Sequence, residues 1–425
     1  MRAIPGMTML AVLVALGLAS GCASSEKQVR EDLKRLYSTS DPQFQQSIGH
    51  LLGPGPVDGN RVQPLRNGDQ IFPAMLGAIA GAKKTIDFET YIYWSGDIGR
   101  KFGDALAERA RNGVQVHVLL DWVGSDRIDH DVMRSMKDAG VQIERYHKPP
   151  WFRWFQWRHF NNRTHRKLLV VDGRIGFTGG VGIADQWTGN AQDEKHWRDS
   201  HYRVEGPVVN EMQTVFMDNW LQATGQVLHG DDYFPLLKPA SHDTRAQMFA
   251  SSPDGGAESM KLMFLLAITA AQHSLYIENS YFVPDPMARG ALVAAVKRGV
   301  KVQIITPGKH NDEKTVRKAS RARLGDLLKE GVEVYEYQPT MFHCKMMIVD
   351  ERFVSVGSAN FDPRSFGLND EANLNIFDEA FARQQIEVFR KDLERAKQVT
   401  YEGWQKRPFT EKFVENFFSL FGSAM

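Results

Sequence analysis

Apolar and polar positions along the chain change period several times, and the changes recur. "AKKTIDFETYIYW", from Ala82, and "AQHSLYIENSYFV", from Ala271, are β-rich runs that end in aromatics, with Glu89 and Glu278 in matching places. Each leads into a helical segment and then into "RNGVQVHVLLD" or "KRGVKVQIITP", which predict buried strands after a glycine stop. A further helix–strand pair follows in each case, ending in "MKDAGVQIERY" and "LLKEGVEVYEY". Strand–helix–strand order repeated in this way predicts two α/β halves with mostly parallel sheets, spanning 62–235 and 236–400.

At the same point in each half stands a run that patterning alone does not explain. "THRKLLVVDGRIGFTGGVGIAD" begins at Thr164 and "FHCKMMIVDERFVSVGSANFD" at Phe342. Alternation along a strand puts His165 and Lys167 on one face, and likewise His343 and Lys345. Asp172 and Asp350 lie an odd seven residues beyond the histidines, so they point the other way and read as supports for the local backbone. A single His-x-Lys is ordinarily a buried or solvated strand pair. Two in register, each followed by a glycine-rich turn, ask for a mechanism.

Two histidines and two lysines brought together by pseudo-twofold symmetry suit a phosphodiester. The lysines neutralise the non-bridging oxygens, one histidine attacks phosphorus, and the other protonates the leaving oxygen. No metal or cofactor is needed, and a neighbouring ammonium would oppose a zinc ion. A nucleophilic histidine must be held in one tautomer by a partner on its other nitrogen. Asp199 and Glu371, 34 and 28 residues beyond the histidine of their own half, are the candidates.

These paired runs resemble the His-x-Lys-x4-Asp signatures of the phospholipase D superfamily. "GSANFDPRSFGLNDEANL", from Gly357, is similar to the second-half signature of its cardiolipin synthase-like branch, and "ETYIYWSGDIG", "YFVPDP" and "EVYEYQPTMFHCK" extend the likeness over roughly 60–400. The resemblance implies two fused, duplicated α/β/α halves with the active site at their interface and a phosphohistidine intermediate. It makes His165, Lys167, Asp172, His343, Lys345 and Asp350 the catalytic set, and it matches Ser358 and Asn360 to a polar pair that contacts phosphate. His165 is assigned the attack and His343 the acid–base role, although symmetry allows the exchange. The first half departs from the pattern: Gly182 stands where the matching asparagine is expected.

Composition narrows the substrate. The formal net charge is +1, and the only charged residue before Cys22 is Arg2, so without that segment the chain is neutral. A neutral chain has no global field for a polyanion, which disfavours nucleic acid as partner. The insertion "HKPPWFRWFQWRHFNNRT", from His147, interleaves six aromatics with arginines and has no counterpart in the second half. Such a composition suits a bilayer interface with anionic headgroups, single-stranded nucleic acid, or a folded lid. In the tail 401–425, Phe413, Phe417, Leu420 and Phe421 recur at helical spacing and make an apolar stripe that docks on the body or lies in an interface.

The N-terminus, "MRAIPGMTMLAVLVALGLASGCASSEK", has one positive charge, an apolar run too short to span a bilayer, and then small residues. It resembles a lipoprotein signal over 1–21 with Cys22 as the lipidated residue, and 22–61 then reads as a tether. An ordinary signal peptide or an uncleaved anchor is the alternative. The expected location is therefore exported and lipid-anchored, with the periplasmic side of an outer membrane favoured by Ala23. Together these features point to a phospholipid substrate at a membrane surface. The leading expectation is a cardiolipin synthase-type phosphatidyltransferase, ahead of a hydrolytic phospholipase D, a nuclease, or a catalytically silent lipid-binding protein.

Overall fold

The computed structural model describes residues 28–148, 162–240, 243–253, 258–412 and 414. The leader with Cys22, the aromatic residues 151–160 of the insertion, and Phe413, Phe417, Leu420 and Phe421 of the tail lie outside them.

The first half contributes β1 (Val57–Arg66), β2 (Thr85–Thr90), β3 (Gln115–Asp121), β4 (Gln142–Tyr146), the short β5 (Arg163–Thr164), β6 (Leu168–Val171), β7 (Ile175–Gly179) and β8 (Ser200–Glu205). The second contributes β9 (Thr244–Ser251), β10 (Ser274–Asn279), β11 (Lys301–Pro307), β12 (Glu333–Tyr337), β13 (Lys345–Val349), β14 (Phe353–Gly357), β15 (Asn369–Phe377) and β16 (Ala396–Val399). They form a continuous sheet in the order β16-β12-β11-β10-β13-β14-β15-β9-β1-β8-β7-β6-β2-β3-β4, with β5 beside β15. The order runs outward in the same sense on both sides of the β1–β9 pair, which marks the pseudo-twofold. The chain is thus two fused, duplicated α/β/α halves.

Within each half the parallel pairs are β2–β3–β4 and β10–β11–β12, where helices such as Asp97–Arg111 and Pro286–Lys297 make the crossovers. The motif strands β6 and β13 run antiparallel to their neighbours, because β6–β7 and β13–β14 are joined by tight turns that permit no crossover. Gly113, Gly140, Gly299 and Gly331 each end a helix before a parallel strand, and all four take positive φ, between 84° and 97°.

Alternate residues of the motif strands enter different cores. Leu168 and Val170, with Met346 and Ile348, pack under the helices Val208–Thr224 and Glu379–Leu393 in one apolar layer common to both halves. Leu169 and Val171 face the first half's own core, and Met347 and Val349 the second's. The shared layer is what holds the halves together, since burying it needs both. The segment expected to be a tether contains the helix Pro42–Leu52, whose Phe44 and Ile48 are fully buried in the second half's core.

Candidate active site

Both histidines sit where the chain enters a motif strand, and each is fixed by the other half's backbone. Short β5 pairs in parallel with β15, setting Thr164 opposite Asp370, and the His165 amide donates to the Asp370 carbonyl at 2.9 Å. In the mirror arrangement Phe342 bridges Arg198, and the His343 amide donates to the Arg198 carbonyl at 2.8 Å. This register puts Glu371 beside His165 and Asp199 beside His343. His165 Nδ1 lies 3.0 Å from both Glu371 carboxylate oxygens, and His343 Nδ1 lies 2.8 Å from Asp199 Oδ2. Each carboxylate therefore holds the histidine of the opposite half, where the sequence had suggested its own. Pairing across the sheet decides the partner, and spacing along the chain does not report it.

Each carboxylate is itself anchored. Glu371 accepts from the Ser358 hydroxyl at 2.5 Å and from the Ser365 hydroxyl at 2.6 Å. Asp199 accepts from Trp187 Nε1 at 2.9 Å and from the Ser200 amide at 2.8 Å. Arg198, fully buried, donates through Nε to both Asp392 oxygens at 3.0 Å and locks the backbone on which His343 rests. Gly180 is required here, because a Cβ at that position would come within 2.2 Å of the Asp199 carboxylate.

Burial of His165, and then the Lys167 ammonium, push its imidazole down to about 4 against the pull of Glu371. His343 is shifted down in the same way, by burial first and then Lys345. Burial opposes ionisation of Glu371, yet His165, Lys167 and the Ser358 hydroxyl outweigh it and hold the carboxyl at about 2. At neutral pH His165 therefore donates its Nδ1–H to Glu371 and keeps a lone pair on Nε2, while His343 donates its Nδ1–H to Asp199 and has Lys345 Nζ 3.2 Å from its Nε2. Lys167 is brought down to about 7, by burial first and then by Lys345, and Lys345 is lowered by burial.

His165, Lys167, His343 and Asn360 open into one cleft of about 740 Å³ walled by Trp94, Trp187, Trp197, Tyr91 and Tyr281. The two lysines are not equivalent. Both donate to the carbonyl of their own motif histidine, but Lys345 Nζ also donates to Ser280 Oγ at 2.7 Å, whereas Lys167, at the matching place, lies 5.7 Å from the Tyr91 ring. Asn360 accepts from Ser280, while Ser358, expected beside the phosphate, is fully buried against Glu371. At Gly182 a Cβ would meet Ile92 Cβ at 2.8 Å, so the first half has no room for the matching asparagine.

Asp172 and Asp350 are turned away from the cleft. Asp172 accepts from the amides of Lys83, Lys84 and Thr85, and Asp350 from those of Gln272, His273 and Ser274. Each pins a motif turn to the start of the neighbouring strand. Trp187, Ser365, Ser280 and Arg198 were not found from the sequence; isolated polar or aromatic residues carry no spacing signal. Among the described residues, no cluster of three or more His, Cys, Asp or Glu side chains could hold a metal ion.

Residues 75–220 and 264–393 match the family described as "Cardiolipin synthase, PLD-like domain". The chain belongs to the phospholipase D superfamily, in its cardiolipin synthase-like branch. It is 33% identical over 396 residues to a cardiolipin synthase of Alkalihalophilus pseudofirmus, covering 92% of this chain and 77% of the relative. A cardiolipin synthase of Geobacillus sp. is 35% identical over 371 residues, with 87% and 73% covered. Phosphatidylserine synthase of Haemophilus influenzae shares the fold, with a TM-score of 0.65 at 14% identity over 89% of this chain and 97% of that one. Membership makes this chain a phospholipase D-type phosphodiesterase/transphosphatidylase.

The expected location is corrected by the same relatives. These relatives are named cardiolipin synthases, and they give no support to a lipoprotein on the periplasmic side of an outer membrane. A short apolar run followed by small residues and Cys22 suits several membrane-directed segments and carries no address by itself. Among the described residues no helix is long and apolar enough to cross a membrane.

Proposed function

We propose that the chain is a phospholipid phosphatidyltransferase of cardiolipin synthase type, moving a phosphatidyl group from phosphatidylglycerol to a second lipid alcohol at a membrane surface. The observation that carries this reading is the pair of histidines, each backed at Nδ1 by a buried carboxylate and both opening into one aromatic-walled cleft. Relatives named cardiolipin synthases, at 33–35% identity, support this choice of donor and acceptor.

In the first step the reactive form carries a second proton on His343 Nε2: His165 Nε2 attacks phosphorus, the phosphorus–oxygen bond to the headgroup glycerol breaks, and His343 gives that oxygen its Nε2 proton and becomes neutral. The lysine ammoniums meet the charge that builds on the non-bridging oxygens. In the second step His343 takes the proton of the incoming hydroxyl, whose oxygen attacks phosphorus and releases neutral His165. Glu371 and Asp199 keep the two Nδ1 protons in place throughout. Asn360 contacts phosphate, Ser358 orients Glu371, and Asp172 and Asp350 hold the turns.

The test is a product assay on mixed vesicles of phosphatidylglycerol and phosphatidylethanolamine with EDTA present, resolved by mass spectrometry, beside the His165→Ala protein. Cardiolipin from wild type alone is the expected result. Phosphatidic acid alone would make the enzyme hydrolytic. Absence of any lipid product from folded protein would sink the lipid reading and send the search to single-stranded DNA.

A further inference from the structure

The turn after β3 has two sides. Val123 and Gly124 line the catalytic cleft, whereas Trp122, one residue earlier, lines a separate recess of about 580 Å³. Arg134 and Lys137, from the helix His130–Asp138, border this recess, together with Arg145 on β4 and Lys148 just beyond it. His130 and two carboxylates, Asp138 and Glu144, share the rim. Arg134 is engaged by Asp131 at 3.5 Å. Lys137, Arg145 and Lys148 form no ion pair among the described residues.

The Trp122 ring lies 5.0 Å from the Arg145 guanidinium and 5.6 Å from the Lys148 ammonium. An aromatic face attracts each cation, but it leaves their mutual repulsion in place until an anion joins them. A tryptophan flanked by long cationic side chains suits the headgroup layer of a bilayer, where the ring and the alkyl stems meet apolar material and the charges meet phosphate. Val123, 45% exposed, stands between the recess and the cleft as an apolar contact for the same layer.

We propose that this recess takes the headgroup phosphate of an anionic phospholipid standing in a bilayer, and so presents the mouth of the cleft to the membrane surface. The inference rests on the phosphatidyltransferase reading for its choice of lipid, and it adds a docking site apart from the reacting groups. Because Trp122 and Val123 are consecutive, a lipid held here lies beside the path by which a substrate enters.

The experiment is co-sedimentation of the full chain with phosphatidylglycerol/phosphatidylcholine vesicles and with pure phosphatidylcholine vesicles. Wild type should bind the anionic vesicles and come off at about 0.5 M salt. Replacing three cations together (Lys137→Gln, Arg145→Gln, Lys148→Gln) should weaken that binding on the order of 100-fold. The charge-keeping Lys137→Arg/Lys148→Arg protein should bind as wild type does. Turnover of a short-chain, monomeric phosphatidylglycerol should change by no more than about twofold in the triple variant. Undiminished vesicle binding by that variant overturns the proposal, as does a parallel loss of turnover on monomeric lipid, which would put these residues in the cleft or the fold. Displacement from vesicles by single-stranded DNA at equal phosphate concentration would also overturn the lipid assignment. Wild-type protein that binds anionic vesicles but transforms no lipid would uphold the docking site and sink the transferase reading, so the two failures are distinguishable.

Discussion

Asp199, in the first half, lies 2.8 Å from Nδ1 of His343, in the second, and Glu371 returns the arrangement to His165 at 3.0 Å. Neither half carries a complete acid–base unit. The exchange explains why the shared apolar layer must be intact for chemistry: a small slip of one half against the other would leave both imidazoles free to choose a tautomer.

Asp199→Asn tests the crossing directly. The amide preserves shape but removes the charge that fixes the Nδ1 proton, and a comparable change in a serine protease triad costs about 10⁴-fold in rate. Activity should fall by about 10³–10⁴-fold, and ¹⁵N ring signals should show the tautomer changing at His343 while His165 keeps its own. A response confined to His165 would contradict the crossed arrangement.

The pH profile follows from His165 on the acid side and from Lys167 and the His343 proton on the alkaline side. His165 must be neutral to attack, and burial with Lys167 holds it near 4, so kcat/KM should fall as pH drops through about 4. Lys167 must be a cation to neutralise phosphate, and its value of about 7 places a second fall above neutrality. A bound phosphodiester anion favours the ammonium, so the upper limb should lie higher in kcat than in kcat/KM. Lys167→Arg should remove only the Lys167 share of the upper limb from kcat/KM, since guanidinium stays charged, and leave the fall that follows loss of the His343 proton.

Removing one member of the Arg198–Asp392 pair should hurt both stability and activity. Both side chains are buried, and losing one leaves the other an uncompensated charge, at a cost of about 3–5 kcal/mol. Asp392→Asn should therefore lower the denaturant midpoint markedly. It should also reduce kcat in the surviving folded fraction, because the Arg198 carbonyl receives the His343 amide. A variant with wild-type stability would show that Arg198 finds its counter-charge elsewhere, with buried Glu278 the group to examine.

Much of the architecture was legible because it is local. The period-two runs, the four glycine stops and the two-residue spacing of His165–Lys167 and His343–Lys345 all act within a few residues of each other. The crossing of carboxylates was not legible, since it is made by β5 lying against β15 and by Phe342 bridging Arg198, which join positions 206 and 144 residues apart. The family resemblance implies a phosphate contact for Ser358, yet full burial and a 2.5 Å contact commit its hydroxyl to Glu371. The leader misled for another reason: its apolar run reports affinity for a bilayer and says little about which one.

The asymmetry at Gly182 and Asn360 gives the last prediction. If a missing amide were all that separates the halves, Gly182→Asn would restore a second phosphate contact and lower KM. The backbone argues otherwise, because a Cβ at 182 would lie 2.8 Å from Ile92 Cβ and 3.3 Å from the Trp187 ring. Trp187 donates to Asp199 and stacks edge-on to His343, with ring centres 5.3 Å apart, so pressure on its ring moves the carboxylate that holds that histidine. Gly182→Asn should cost about 1–3 kcal/mol of stability by overpacking and should lower kcat without improving KM. Pairing it with Ile92→Ala makes room for the side chain and should recover part of the stability. If the double variant also recovers kcat, steric displacement through Trp187 is the cause; if it regains stability but not kcat, the asparagine itself disturbs the chemistry.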